Sequence, residues 1–192
     1  LDYNLSEVVH MLKSCADSHC IQDMPPLKEL TRSNMVRFLK KLDEERLKSF
    51  AVMFMEDCFK ICNVSYYEEN LDPKRTEFNL SLRYFRRNHP WLQQNLTEKD
   101  RFNKISEEEQ TVFYGVRSNP HNSEEQIAMV SHLEGQPITV TLGDWLQLDM
   151  DEWEVALASP GLEENDNLAD IRHFELGHSQ GLLLKRSLKL KS

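Results

Sequence analysis

The chain lacks any apolar run long enough to cross a bilayer, which excludes a helical membrane protein. It lacks a basic surplus as well. Its 23 Lys and Arg face 32 Asp and Glu, for a formal net charge of -9, and no basic stripe offsets that balance, so nucleic acid is excluded as a partner. Glycine is scarce, six in 192 residues, and neither a Gly-rich phosphate loop nor a Gly-x-Ser-x-Gly elbow is present. No internal repeat or low-complexity tract occurs. The start at Leu1 has neither Met nor a signal-peptide pattern. The expected location is the cytoplasm, against which sequons at Asn4, Asn63, Asn79 and Asn95 keep secretion open. Cysteine is limited to Cys15, Cys20, Cys58 and Cys62. A chain this long does not need disulfides, and the spacing is unlike the usual zinc pairs, so reduced, partly buried thiols are expected, with no metal and no cofactor.

What is there reads as two regions of different periodicity. Leu5, Val8, Val9 and Leu12 form one face of an amphipathic helix over Leu1–Cys15. Asp17–Pro26 is a loop closed by two prolines. Met35–Leu39 is a five-residue apolar run suited to a buried parallel strand. Glu44–Glu56 is a helix with Leu47, Phe50, Ala51 and Phe54 on one face, and Ile61–Tyr67 is a β-branched and aromatic strand. Phe78–Asn88 is a second helix, ended by His89-Pro90.

From Leu96 to Gln110 the chain is polar and acidic and reads as a linker. Beyond it lie short β segments at Thr111–Arg117, Gln126–Leu133, Ile138–Leu142, Glu152–Ala158, Ile171–Leu176 and Gly181–Lys185. Turn signals such as Asn119-Pro120, Glu134-Gly135, Gly143-Asp144 and Pro160-Gly161 separate them, which predicts an antiparallel sandwich. The expected division is 1–95 mainly helical, 96–110 linker and 111–192 sandwich.

The stretch Met35–Glu69 has the strand–helix–strand order of a parallel β/α unit, in which chemistry sits just past a strand's C-terminal end. It resembles the seventh and eighth units of the α-amylase superfamily of glycoside hydrolases. Phe38-Leu39-Lys40-Lys41-Leu42-Asp43 is similar to that family's Phe-Leu-x-Asn-His-Asp, with the Asp kept and the Asn-His pair replaced. Tyr66-Tyr67-Glu68-Glu69 is similar to its Tyr-Tyr-Gly-Glu-Glu without the Gly. Leu82–Leu92 resembles its last barrel helix, which closes in His-Pro-x-Leu. Tyr3-Asn4-Leu5 and Pro25-Pro26-Leu27 resemble segments of trehalose-synthase-like members. The resemblance implies an α+β fold: a partial (β/α) barrel remnant followed by an antiparallel β-sandwich, cut from a longer polypeptide.

The resemblance also implies a role for Asp43, the third catalytic carboxylate, which stabilises the transition state. From spacing alone, Asp43 is equally suited to cap the following helix. A retaining glycosidase needs a nucleophile and an acid/base carboxyl roughly 5 Å apart, and the chain before Met35 has no room for the strands that would carry them. The expectation is a fragment of an enzyme acting on α-glucosidic bonds, inactive alone, whose partners are an α-glucoside or α-glucan and the rest of the barrel. An open strand edge adds self-association. The alternative is a non-catalytic binding or interaction module. His89 reads as structural, in a helix-terminating His-Pro. Glu107-Glu108-Glu109 and Asp149/Asp151/Glu152 read as solvated surface, and His173 and His178 flank a Gly turn. Trp145 and Trp153, taken as alternating strand positions, read first as core and second as a sugar-stacking surface.

Overall fold

The computed structural model describes residues 40, 73–94 and 97–187. Asp43, the four cysteines, the amphipathic segment Leu1–Cys15 and the elements expected at Met35–Leu39, Glu44–Glu56 and Ile61–Tyr67 lie outside the described residues. Lys40, expected just past a strand, is helical.

Helix α1 spans Pro73–Asn88 and so begins five residues before the first apolar position, Phe78. Pro73 suits a helix start because its missing N–H would have had no partner there. Phe78 and Leu82, four apart, are buried, while Arg86 and Arg87 sit in the last turn, where positive charge complements the helix dipole. The His89 Nδ1–H donates to Phe85 O at 2.7 Å, and its ring stacks on Phe85 at 4.2 Å. It thereby satisfies one of the carbonyls that every helix end leaves open. Pro90 then stops the helix, and Pro90–Gln93 forms a 3-10 turn.

The expected linker is not a plain connection. Arg101–Glu107 within it is strand β1, which pairs antiparallel with β2, Gln110–Asn119. The remaining strands are β3 (Asn122–Glu134), β4 (Ile138–Val140), β5 (Trp153–Ala158), β6 (Phe174–Leu176) and β7 (Gly181–Arg186). A five-stranded sheet runs β1-β2-β3-β7-β5, all antiparallel, and β4 pairs with β6 in a second sheet. This is the antiparallel sandwich expected after the helical part. The closing segment, expected as a final strand, is β7 and lies between β3 and β5.

Opposed residues in paired strands share a face. Val112, Val116, Ala128, Val130, Leu182 and Leu184 face the small sheet, where they pack with Val140, Phe174, Leu176, Leu142 and Trp153. Phe113, Ile127, Met129 and Leu183 are buried on the opposite face. A sheet covered on both sides explains why β2 and β3 are nearly all apolar at their centres. Gly115 sits opposite Phe102, and a Cβ there would lie 2.5 Å from Phe102 Cδ1 and 2.7 Å from Arg101 O. Here glycine is the notch that seats the Phe102 ring.

The expected strand Ile138–Leu142 ends at Val140. Leu142–Leu146 is instead the short helix α2, closed by Gln147 in the left-handed region at φ 55°. Trp145 therefore lies on a helix and is half-buried, not in a sheet core, whereas Trp153 is buried in β5. Among the described residues, no helix is long and apolar enough to cross a membrane.

Candidate functional site

Among the described residues, two open clefts and one buried ionic seam gather polar side chains. The seam forms where the turn after α1 meets the sheet. Arg117, which follows the apolar run Val112–Val116 in β2, is 1% exposed, and Asp100, just before β1, is 5% exposed. The Arg117 guanidinium donates to Leu92 O, and to Gln94 O at 3.0 Å. Its Nε lies 4.0 Å from Asp100 Oδ1, and its carbon stands 5.8 Å from the centre of the Trp91 ring. Burial pushes the guanidinium below its usual value, and the Asp100 charge opposes that shift. Asp100 also accepts from Ser118 N and Thr97 N, each at 2.8 Å. Trp91 is tied to β3 by Nε1–H donation to Glu125 at 3.2 Å. This arrangement joins segments; it has no open face toward a ligand.

The first cleft, about 500 Å³, lies between α1 and the chain after β5, with Phe78, Leu157 and Pro160 beside Lys74, Glu77 and Glu163. The second, about 480 Å³, runs along β6 past Asp166, Asp170, His173 and Glu175. General-acid work needs a desolvated carboxyl, and Glu77, Glu163, Asp166 and Glu175 are all exposed. In the second cleft Arg172 Nε donates to Asp170 at 2.9 Å, and that hydrogen bond holds the Asp170 carboxyl below its ordinary value.

The other positions singled out in the sequence are dispersed. Glu108-Glu109 is the exposed two-residue turn of the β1–β2 hairpin, with Glu109 in the left-handed region. Asp149 accepts from Asp151 N at 3.1 Å, capping a 3-10 turn, and Glu152 pairs with Arg186. His173 Nδ1 lies 3.6 Å from Asp170, whereas the His178 ring stands 6.2 Å from that of His132. The two histidines do not converge, and among the described residues no three His, Cys, Asp or Glu side chains gather as a metal site.

Two features escaped the sequence reading. Arg117 was legible only as a charge inside an apolar strand. Tyr114 showed only as an alternating position, yet its ring meets that of Trp145, with centroids 4.9 Å apart and planes tilted 48°.

A family model described as hypothetical glycoside hydrolase 5 matches residues 1–184. The glycoside hydrolase kinship inferred from the motifs agrees with that match. No curated protein matches the chain. A crystal structure of trehalose-6-phosphate hydrolase from Bacillus licheniformis is similar at 13% identity and a TM-score of 0.41, covering 81% of this chain and 31% of that one. The R201Q mutant of the same hydrolase, in complex with PNG, is similar at 12% identity and a TM-score of 0.39, covering 85% of this chain and 32% of that one. The chain thus spans less than a third of the length of these structures.

Proposed function

The chain belongs to the hypothetical glycoside hydrolase 5 family, and from that membership we propose that it is part of an α-amylase-like enzyme that cleaves or transfers α-glucosidic bonds. The observation that carries the reading is the succession of elements. Helix α1 is followed by His89-Pro90 and a short 3-10 turn that buries Trp91, and the antiparallel sandwich comes next in the chain. That is the order the Leu82–Leu92 motif implies for the end of a catalytic barrel and the domain after it.

In this reading Asp43 holds the transition-state-stabilising position. Its charge would oppose the positive charge that builds on the anomeric carbon as the bond breaks. Alone it can contact sugar hydroxyls but cannot break the bond, because cleavage needs a nucleophile on one side of the sugar and a proton donor on the other. The partners are an α-glucoside or α-glucan and the polypeptide that supplies the missing carboxyls.

The test has two arms. The purified 192 residues should release no reducing sugar from maltose or soluble starch. Release that disappears in Asp43→Asn would overturn the inactivity of the isolated chain. Sequencing the transcript upstream of Leu1 should reveal earlier barrel strands bearing a nucleophile Asp and an acid Glu. Their absence would replace the enzyme reading with a non-catalytic module, which the altered Asn-His pair before Asp43 favours.

A further inference from the structure

The chain has three tryptophans, and the fold places them in two ways. Trp91 and Trp153 are buried. Trp145 alone is half-buried, on α2, with its ring against Tyr114. Tyr114 comes from the centre of β2, and its cross-strand partner on the same face is Asn103 of the edge strand β1. Ile105, two residues along β1, and Leu148, just after α2, are also partly buried and packed against the core. Among the described residues, no protein group hydrogen-bonds the Tyr114 hydroxyl, the Trp145 indole N–H or the Asn103 amide. Burial pushes the Tyr114 phenol above its usual value.

Aromatic side chains with a polar tip suit a ligand that is apolar on one face and polar at its rim. A pyranose ring has that character: axial C–H groups cover its faces, and hydroxyls surround its edge. Two ring planes tilted by 48° suit sugar units that turn relative to one another. An α-1,4-glucan turns in this way, whereas a β-1,4 chain is a flat ribbon.

We propose that Tyr114 and Trp145, with Asn103 beside them, form a non-catalytic binding platform for an α-glucan chain on the sandwich. The platform rests on the proposed function for its choice of sugar, and on the tilted aromatic pair, whose polar tips bond no protein group among the described residues, for its location. It would hold a polymer near the enzyme without touching the bond that breaks.

The experiment uses the full 192-residue chain. Maltoheptaose is titrated while tryptophan emission is followed; with Trp91 and Trp153 buried, the change reports on Trp145. Saturable quenching or a blue shift is expected with maltoheptaose, and none with cellohexaose. By calorimetry, Trp145→Ala should weaken binding by about tenfold or more, the scale of one lost aromatic contact and its hydrogen bond. Tyr114→Phe, which keeps the ring and removes the hydroxyl, should weaken it several-fold at an unchanged melting temperature. No saturable response in the wild-type chain, an equal response to cellohexaose, or wild-type affinity in both variants would overturn the platform. An upstream reading frame without the Asp and Glu carboxyls would overturn the enzyme reading and leave the measured binding intact, so the two failures are distinguishable.

Discussion

Replacing Arg117 with methionine tests the seam between α1 and the sheet. The substitution keeps an unbranched stem of similar course, so the cavity contribution is small. It removes the donors to Leu92 O and Gln94 O and leaves the buried Asp100 without its cation. Breaking a buried ion pair from one side costs about 3–5 kcal/mol. Asp100 still accepts from Ser118 N and Thr97 N, and those two dipoles place the expected loss near the lower bound, about 3 kcal/mol. At ~2–4 °C per kcal/mol for a chain of this size, the melting temperature should fall by about 6–12 °C. Urea unfolding followed by tryptophan emission measures the loss, because Trp91 lies beneath the guanidinium. Adding Asp100→Asn to Arg117→Met removes the stranded charge and should recover about 1–2 kcal/mol relative to the sum of the single changes. A single-variant loss under about 1 kcal/mol, or strict additivity in the double variant, would refute the view of these residues as a coupled pair.

Three further outcomes follow from the geometry. Gly115→Ala should cost about 1–3 kcal/mol by overpacking against Phe102 and the Arg101 carbonyl, and Phe102→Leu should restore part of it; an unchanged urea midpoint in Gly115→Ala would show that β1 moves aside freely. Glu134 is held below its ordinary value of 4.5, first by its hydrogen bond with Lys40; the folded chain therefore binds that proton more weakly than the unfolded one, and the stabilisation is present above 4.5 and lost as pH falls through the lower folded value. In urea midpoints measured against pH, Glu134→Gln should remove that acid-side slope, and parallel profiles for the two proteins would contradict the assignment. A truncation to 97–192 removes α1, Trp91 and the Leu92 and Gln94 carbonyls that accept from Arg117, so it should bind an apolar dye or aggregate, whereas a monomeric, dye-silent product with a sharp melt would show that the sandwich folds without its preceding turn.

The sandwich was legible because alternation is a local signal. Val112-Tyr114-Val116 announces its strand without reference to any partner. Strand β1 was not, because Arg101–Glu107 has only Phe102 and Ile105 as apolar residues, three apart. An edge strand has one neighbour and little to bury, so its sequence carries little period-2 pattern. Alternation also misled at Leu142. Ile138-Val140-Leu142 keeps the period of a strand, but the chain turns at Thr141 and Leu142 reaches the core from the start of α2. The same turn moved Trp145 from an expected sheet position to the margin of the core. In α1 the apolar stripe marked Phe78 onward and not the polar first turn from Pro73. The candidate aromatic platform depends on β1 and α2, the two elements that periodicity missed or misassigned, so the sequence could offer its residues only separately.

Arg117 shows where such reading stops for a physical reason. Its acceptors are 25 and 23 residues earlier, and its anion precedes β1. The three segments meet where β1 pairs with β2, because that pairing sets Arg117 beside the chain leading out of Thr97–Asp100. An apolar contact at this seam would tolerate sliding, since dispersion and area have little direction. A planar guanidinium aimed at two carbonyls tolerates much less, because its donors form a rigid fork. The seam therefore sets the position of the turn after α1 on the sheet through direction as well as burial. If that turn closes a catalytic barrel, as the family membership leads us to propose, Arg117 is the side chain by which the sandwich fixes where the barrel ends.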